Sequence, residues 1–405
     1  MRYISKLFYE NNEKDFMEKF NKRISFESVQ HLKLAIKPID QPNTFHLYYI
    51  PTNNHLNKIA DIYKISGELN SISRELPSVA SNQFIVECII EELFHTNELE
   101  GVRSTRDEIA QSVRNVSLNK KGKKRFKSMV KSYMNLMNGT KELPQSSLDI
   151  RKIYDEITEG EIDEDELPDG EIFRKDVTHI LTNSGTGKII HRGIVPEDKI
   201  ISEMNNLINF MNNLEELPDI IRIAIGHYYF GYIHPFYDGN GRTSRFISSL
   251  YLSEALGKLP ALSLSRGCNK FKSKYLKAFE DTNKVVNRGE MNYFIDIFLS
   301  ILLATLKEMY EELKEKMYLI NLANNKLRED GRLDKKNYIE CMFILAQNHF
   351  FDHNEGLSAK ELAEALEISV VTVRKIAKEL IHLSLVKQVG TRPALYIINP
   401  TYFEE

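Results

Sequence analysis

The run His234-Pro235-Phe236-Tyr237-Asp238-Gly239-Asn240-Gly241-Arg242-Thr243-Ser244-Arg245 collects residue types from which a phosphate site can be built. A glycine-rich turn that opens into a helix leaves backbone N–H groups pointing outward. Those groups and the helix dipole together favour an anion. Arg242 and Arg245, three apart, share a face of that helix, and both can reach an anion bound at its start. Asp238 is an oxygen ligand suited to Mg²⁺. His234 stands just before the turn, where a general base could serve a nucleophile arriving at a bound phosphate. Each feature alone is common in structural turns. Together they describe a phosphate site, a metal ligand and a base in one short stretch.

The flanking sequence must hold these groups in place. Ile220 to Ile233 is apolar with few breaks, as a buried helix is. Pro235 stops that helix. From Arg242 the helical pattern resumes through Phe246, Ile247, Leu250 and Tyr251. Farther upstream, Asn82 to Glu100 reads as a helix with Ile85, Ile89 and Leu93 on one face and Gly101 as its stop.

The run from His234 to Arg245 resembles the Fic family signature HPFxDGNGRxxR at every fixed position. The resemblance implies a protein adenylyltransferase that moves AMP from ATP, with Mg²⁺, to a hydroxyl of a target protein. His234 would deprotonate that hydroxyl. Asp238 would hold the metal on the α- and β-phosphates. Gly239, Asn240 and Gly241 would form the anion hole. Arg242 would hold the β- and γ-phosphates, and Arg245 would face the γ-phosphate. Phe236 would point into the core. A family branch that phosphorylates has lysine where this chain has Gly241, so the glycine favours nucleotide transfer.

Thr96-Asn97-Glu98-Leu99-Glu100-Gly101 matches the family's inhibitory pattern, (S/T)xxxE(G/N), which in one class lies upstream of the core. A glutamate facing Arg245 would form a bidentate ion pair. It would fill the space that the γ-phosphate needs and leave ATP in a pose unfit for in-line attack. Glu98 competes for the role, but only Glu100 has a threonine four residues before it and a glycine after it. Two β-like runs, Val177 to Leu181 and Lys188 to Gly193, flank Thr182-Asn183-Ser184-Gly185-Thr186-Gly187 and read as a hairpin. In the family such a hairpin is a flap that holds the target by strand addition. His179, Ile180 and Leu181 are its expected register. Residues near Leu264-Ser265-Arg266 and Phe271 to Phe279 would border the adenine and ribose. Tyr275 is the candidate adenine contact, with packing in a helix interface as the other reading.

At 405 residues the chain has room for two or three domains. Its 54 basic and 57 acidic residues leave a formal charge of −3, which gives no sign of a polyanion binder overall. Three scattered cysteines suggest reduced thiols and a cytoplasmic protein, and no apolar stretch is long enough to span a membrane.

The expected fold is mainly α: a Fic-type helical bundle with a β-hairpin flap, plus a C-terminal winged-helix domain. Residues 1–83 form an N-terminal region, and 84–306 the core with its inhibitory helix at 84–101. Residues 307–334 form a helical connector, and 335–405 the winged helix-turn-helix-like domain. That last segment reads as three helices and a hairpin. Ser358 and Glu361 form a capping box there, as do Thr105 and Glu108 upstream. Arg374, Lys375, Lys378 and Arg392 supply only a small basic face, so DNA binding and protein docking both stand open. The basic run Lys120 to Lys127 reads as a solvated loop. The resemblance also admits self-modification, pairing into a homodimer, removal of AMP from the target, or a nucleotide-sensing DNA-binding regulator.

Overall fold

A computed structural model describes residues 2–117, 125–181, 189–214, 217–351, 356–392 and 394–403. Residues 120–124 of the basic run and the hairpin tip at 182–187 lie outside the described residues, while Arg125 pairs with Glu161, Phe126 is buried and Lys127 opens a helix. In chain order the elements begin with α1 (Ile4–Glu10), α2 (Glu13–Ile24), β1 (Gln30–Ile36), β2 (Phe45–Tyr49), α3 (Asn53–Glu75) and α4 (Ser78–Leu99). Next come α5 (Arg106–Ser117), α6 (Lys127–Asn138), α7 (Ser147–Thr158), β3 (His179–Leu181), β4 (Ile189–Arg192) and α8 (Glu197–Asn212). Then follow α9 (Asp219–Ile233), α10 (Asn240–Leu256), α11 (Leu264–Lys270), α12 (Lys272–Asn283) and α13 (Asn292–Glu329). The chain closes with α14 (Lys336–Phe351), β5 (Leu357–Ser358), α15 (Ala359–Leu366), α16 (Val370–His382), β6 (Val386–Val389) and β7 (Leu395–Ile398).

The chain divides into two compact units, Met1–Gly67 with Ile89–Lys307, and Glu68–Cys88 with Glu308–Glu405. The segment read as a connector is not separate. It is the second half of α13, a single helix of 38 residues. No proline or glycine interrupts its sequence, so nothing stops it.

In the first unit α9 is the central helix. Nearly every residue from Ile220 to Ile233 is buried, the fate of a helix that is apolar all round. It packs against α8 and α10, and α10 also meets α7. His234 ends α9 in the left-handed region, at φ 51°, with its N–H on Phe230 O at 2.9 Å. Thus the turn starts one residue before Pro235. Two short antiparallel pairs, β1 with β2 and β3 with β4, accompany the helices. The capping box at Thr105 is present: Glu108 N–H donates to Thr105 Oγ1 at 3.1 Å, and Thr105 N–H to Glu108 Oε2 at 3.4 Å.

In the second unit α14, α15 and α16 pack around Leu362, Val373, Leu380 and Ile398. An antiparallel sheet of order β5-β7-β6 accompanies them. It holds one short strand more than the hairpin read from sequence. Ser358 and Glu361 exchange bonds in the capping box that starts α15, and Ser369 caps α16 through Thr372 N–H. Val79, Ala80 and Phe84 of α4 belong to this unit. Ala80 N–H donates to Gln347 Oε1, and the Phe84 ring meets Phe351 edge to face.

Candidate active site

The turn after α9 is tied from inside. Asn240 accepts the Phe236 N–H at 3.0 Å and returns its own amide to Phe236 O at 2.7 Å. Asn240 is therefore buried and fixes the loop rather than facing outward. Phe236 stacks on Tyr154 with ring centroids 3.7 Å apart, anchoring the turn to α7. Gly239, at φ 78°, must be glycine twice over. An added Cβ would be strained there and would lie 2.7 Å from Thr158 Cγ2. From this turn α10 begins, and its first-turn N–H groups have no acceptor within the helix.

Arg242 is fully buried. Its Nη2 reaches Asp238 Oδ2 at 3.1 Å. Its Nε and Nη1 are buried too and have no hydrogen-bond partner among the described residues. Unpaired buried donors are costly, and such a pair at a helix start is chemically suited to an anion. Asp238 is about a third exposed, so its carboxylate is open to a cation.

Arg245, one turn on, is buried and bonded through Nε and Nη2. Its Nε donates to Thr96 Oγ1 at 2.8 Å, and its Nη2 to Thr96 O at 3.2 Å and Glu100 Oε1 at 2.8 Å. Glu100, not Glu98, is the partner. The expected fork-to-fork pair is not formed, because Thr96 takes one edge of the guanidinium. Burial lowers the pKa of Arg245, but the charge and hydrogen bond of Glu100, with Tyr275 and Cys268, together outweigh it and the net shift is upward. The Glu100 carboxylate also lies against Gly241. A Cβ on that glycine would stand 2.1 Å from Glu100 Oε1.

His234 is held neutral. Burial pushes its pKa down to about 3, the charges of His191 and Arg174 push the same way, and the Gly231 carbonyl opposes them. Its Nδ1 is buried. A neutral imidazole is the form that can take a proton.

Two supporting side chains carried no sequence signal. Arg174, fully buried, donates from Nε to His234 O at 2.9 Å and from Nη2 to Ile194 O at 2.9 Å. His191 of β4 donates from Nε2 to Tyr232 O at 2.6 Å. Both fix backbone around His234. His179 is exposed and Ile180 half-buried on β3, which pairs with β4 in the register His179↔Arg192, Ile180↔His191 and Leu181↔Ile189. Tyr275 is not at an open surface. It is buried, and its hydroxyl bonds His227 Nε2 at 2.8 Å inside a helix interface.

Among the described residues no cluster of three or more His, Cys, Asp or Glu could hold a metal alone. The three cysteines are buried free thiols. No helix among the described residues is long and apolar enough to cross a membrane.

Residues 144–252 match the sequence profile of the Fic/DOC family. Among solved structures, a Fic family protein from Desulfovibrio desulfuricans is similar at 18% identity and a TM-score of 0.52, over 87% of this chain and 98% of that one. A Fic domain containing signaling protein from Bacteroides thetaiotaomicron is similar at 16% identity and a TM-score of 0.43, over 63% of this chain and 98% of that one. Fic-1 from C. elegans follows at 17% identity and a TM-score of 0.40, over 64% and 74%. The stretch that carries His234, the glycine turn and both arginines thus lies in a segment matching the Fic/DOC family, within a fold like that of a solved Fic family protein.

Proposed function

We propose that this protein is a self-inhibited adenylyltransferase that transfers AMP from ATP to a serine, threonine or tyrosine hydroxyl of a target protein. The observation that carries the reading is the pair of buried, unpartnered N–H groups of Arg242 beside Asp238 at the start of α10. That donor set fits phosphate oxygens. One partly exposed carboxylate fits Mg²⁺, which takes one or two protein carboxylates and completes its shell from phosphates and water. When bound, Mg²⁺ offsets phosphate charge; Asp238 is the residue that would hold it.

The chain's own groups do the rest. The first-turn N–H groups at Asn240 and Gly241 cradle the phosphates, and Arg242 grips them from the side. β3, paired only to β4 among the described strands, offers an edge to a target segment. His234 takes the proton from the target hydroxyl. The freed oxygen attacks the α-phosphorus, the bond from that phosphorus to the bridging oxygen breaks, and pyrophosphate leaves. While Glu100 and Thr96 hold Nε and Nη2 of Arg245, the Glu100 carboxylate stands where a γ-phosphate would meet that edge, so the reading includes a brake.

A further reading concerns the second unit. Arg374, Lys375 and Lys378 are exposed on α16, and Lys387 and Arg392 on the strand and loop that follow. None has an ion-pair partner among the described residues, and Glu379 is the one acid between Val370 and Arg392. This local excess favours a winged-helix module that meets DNA phosphates.

The test is label transfer from α-³²P-ATP with Mg²⁺ in a cell lysate, using wild type, Glu100→Gly and Glu100→Gly/His234→Ala. Label on protein that rises in the single variant and vanishes in the double one is expected. ATP binding without label on any protein overturns the transferase reading in favour of AMP removal or nucleotide sensing.

A further inference from the structure

Within the first unit, three residues of α4 and its end stand at four-residue steps and bond to neighbouring helices: Glu92, Thr96 and Glu100. The last two meet Arg245. Glu92 does not. It is fully buried, and its carboxylate accepts the Ser265 N–H at 2.9 and 3.1 Å and the Ser265 hydroxyl at 2.6 Å. Ser265 stands in the first turn of α11, itself fully buried. A carboxylate without water survives only where donors surround it. These donors are charge-assisted and short, so they fix α4 in height and rotation. They involve no atom of Arg245 or Glu100.

We propose that Glu92 is the positioning residue of the brake: clamped on α11 through Ser265, it holds α4 in the register that delivers Glu100 to Arg245. The proposal rests on reading Glu100 as a brake. The clamp is also sensitive to protons. Burial raises the pKa of Glu92 to about 7, while the Ser265 bonds, Arg245 of α10 and His95 of α4 pull it back. Tyr133 of α6 and Cys268 of α11 are the other titratable groups that feel its charge. A protonated Glu92 loses its attraction for the Ser265 donors, for Arg245 and for the start of α11. The brake therefore loosens in mild acid.

The experiment uses the full chain and the same α-³²P-ATP assay with wild type, Glu92→Gln, Ser265→Ala, Glu100→Gly and Glu92→Gln/Glu100→Gly. Glu92→Gln is expected to raise label about tenfold, as the loss of charge-assisted bonds implies. Ser265→Ala removes one hydroxyl and little volume, so it serves even where Glu92→Gln folds poorly; its rise should be smaller. Glu92→Gln should add nothing to Glu100→Gly, because both release one brake. The ratio of wild-type to Glu100→Gly label cancels the pH dependence of the chemistry. It should climb from about pH 8 to about pH 6, and the corresponding ratio for Glu92→Gln should stay flat. A rise in Glu100→Gly with neither Glu92→Gln nor Ser265→Ala above wild type overturns this proposal alone. So does a double variant that multiplies the two effects, which is what general loosening would give. No rise in Glu100→Gly overturns the brake, and this proposal with it.

Discussion

Two arginines, one turn apart on α10, are buried to the same degree and left in opposite states. Arg242 keeps two donors without partners among the described residues beside a partly exposed Asp238, and the His234 of the same turn is held neutral. Arg245 has its Nε and Nη2 donors taken by Thr96 and Glu100. On the proposed reading the first region is a receptor for an anion. The second is held by partners within the fold. The difference shows that burial alone does not mark a functional cation; the accounting of its donors does.

The sharpest way to break this contrast is at His234. His234→Ala in the Glu100→Gly background should cut label transfer by a factor of about 10² to 10⁴, the range a general base contributes. Retained activity would mean that the receptor region lacks the base assigned to it. The next test compares the arginines by chemical denaturation. Arg245→Met strands Glu100 and the Thr96 groups and should cost about 2–4 kcal/mol of stability. Arg242→Met removes donors that are already unmatched, so it should change stability by no more than about 1 kcal/mol, while ATP affinity falls. Equal costs for the two would erase the comparison.

A pH series sharpens the claim that the receptor region is held neutral. His191, His227 and His234 have folded pKa values pushed down by burial to about 4, 3 and 3. The unfolded chain takes up those protons near the ordinary histidine value of about 6.5, so each contribution is present above that and is lost as the pH falls. Glu92 and Glu290 act oppositely. Burial raises both to about 7, so their contribution is full below the ordinary carboxylate range and is lost as the pH rises through about 7. Between about pH 6.5 and 4.5 the two sets largely offset each other. Below about 4.5 the histidines act together with carboxylates held below their ordinary range, Asp296 and Asp330 among them, and the unfolding free energy should fall steeply, by up to about 1.4 kcal/mol per pH unit for each group. Urea titrations at stepped pH measure this, and His227→Gln should flatten the acid limb.

Local chemistry was readable from the chain. The His234-to-Arg245 run, the caps at Thr105 and Ser358, and the glutamate before Gly101 all declare themselves within a few residues. What could not be read depends on distant partners. Arg174 reaches a carbonyl 60 residues away, and Glu92 a serine 173 residues away. Arg174 lies in an irregular stretch with no periodicity to flag it. Glu92 looked like one more acid on an amphipathic helix, because burial of a single carboxylate leaves no trace in a hydrophobic pattern. The grouping of Glu68–Cys88 with the C-terminal residues was hidden for the same reason: the Ala80 contact to Gln347 spans 267 residues.

Gly241 has no side chain, and the space so left is where the Glu100 carboxylate rests. On the proposed reading, that volume at the head of α10 admits either the protein's own carboxylate or an incoming anion. Nucleotide and glutamate are then competitors, and the competition has a dose–response. The apparent dissociation constant equals the intrinsic one divided by the fraction of molecules with Glu100 withdrawn. A closed form favoured by about 1.4 kcal/mol moves half-saturation about tenfold upward. One ion pair would thus give the enzyme a set point, tuned to the abundance of its own substrate.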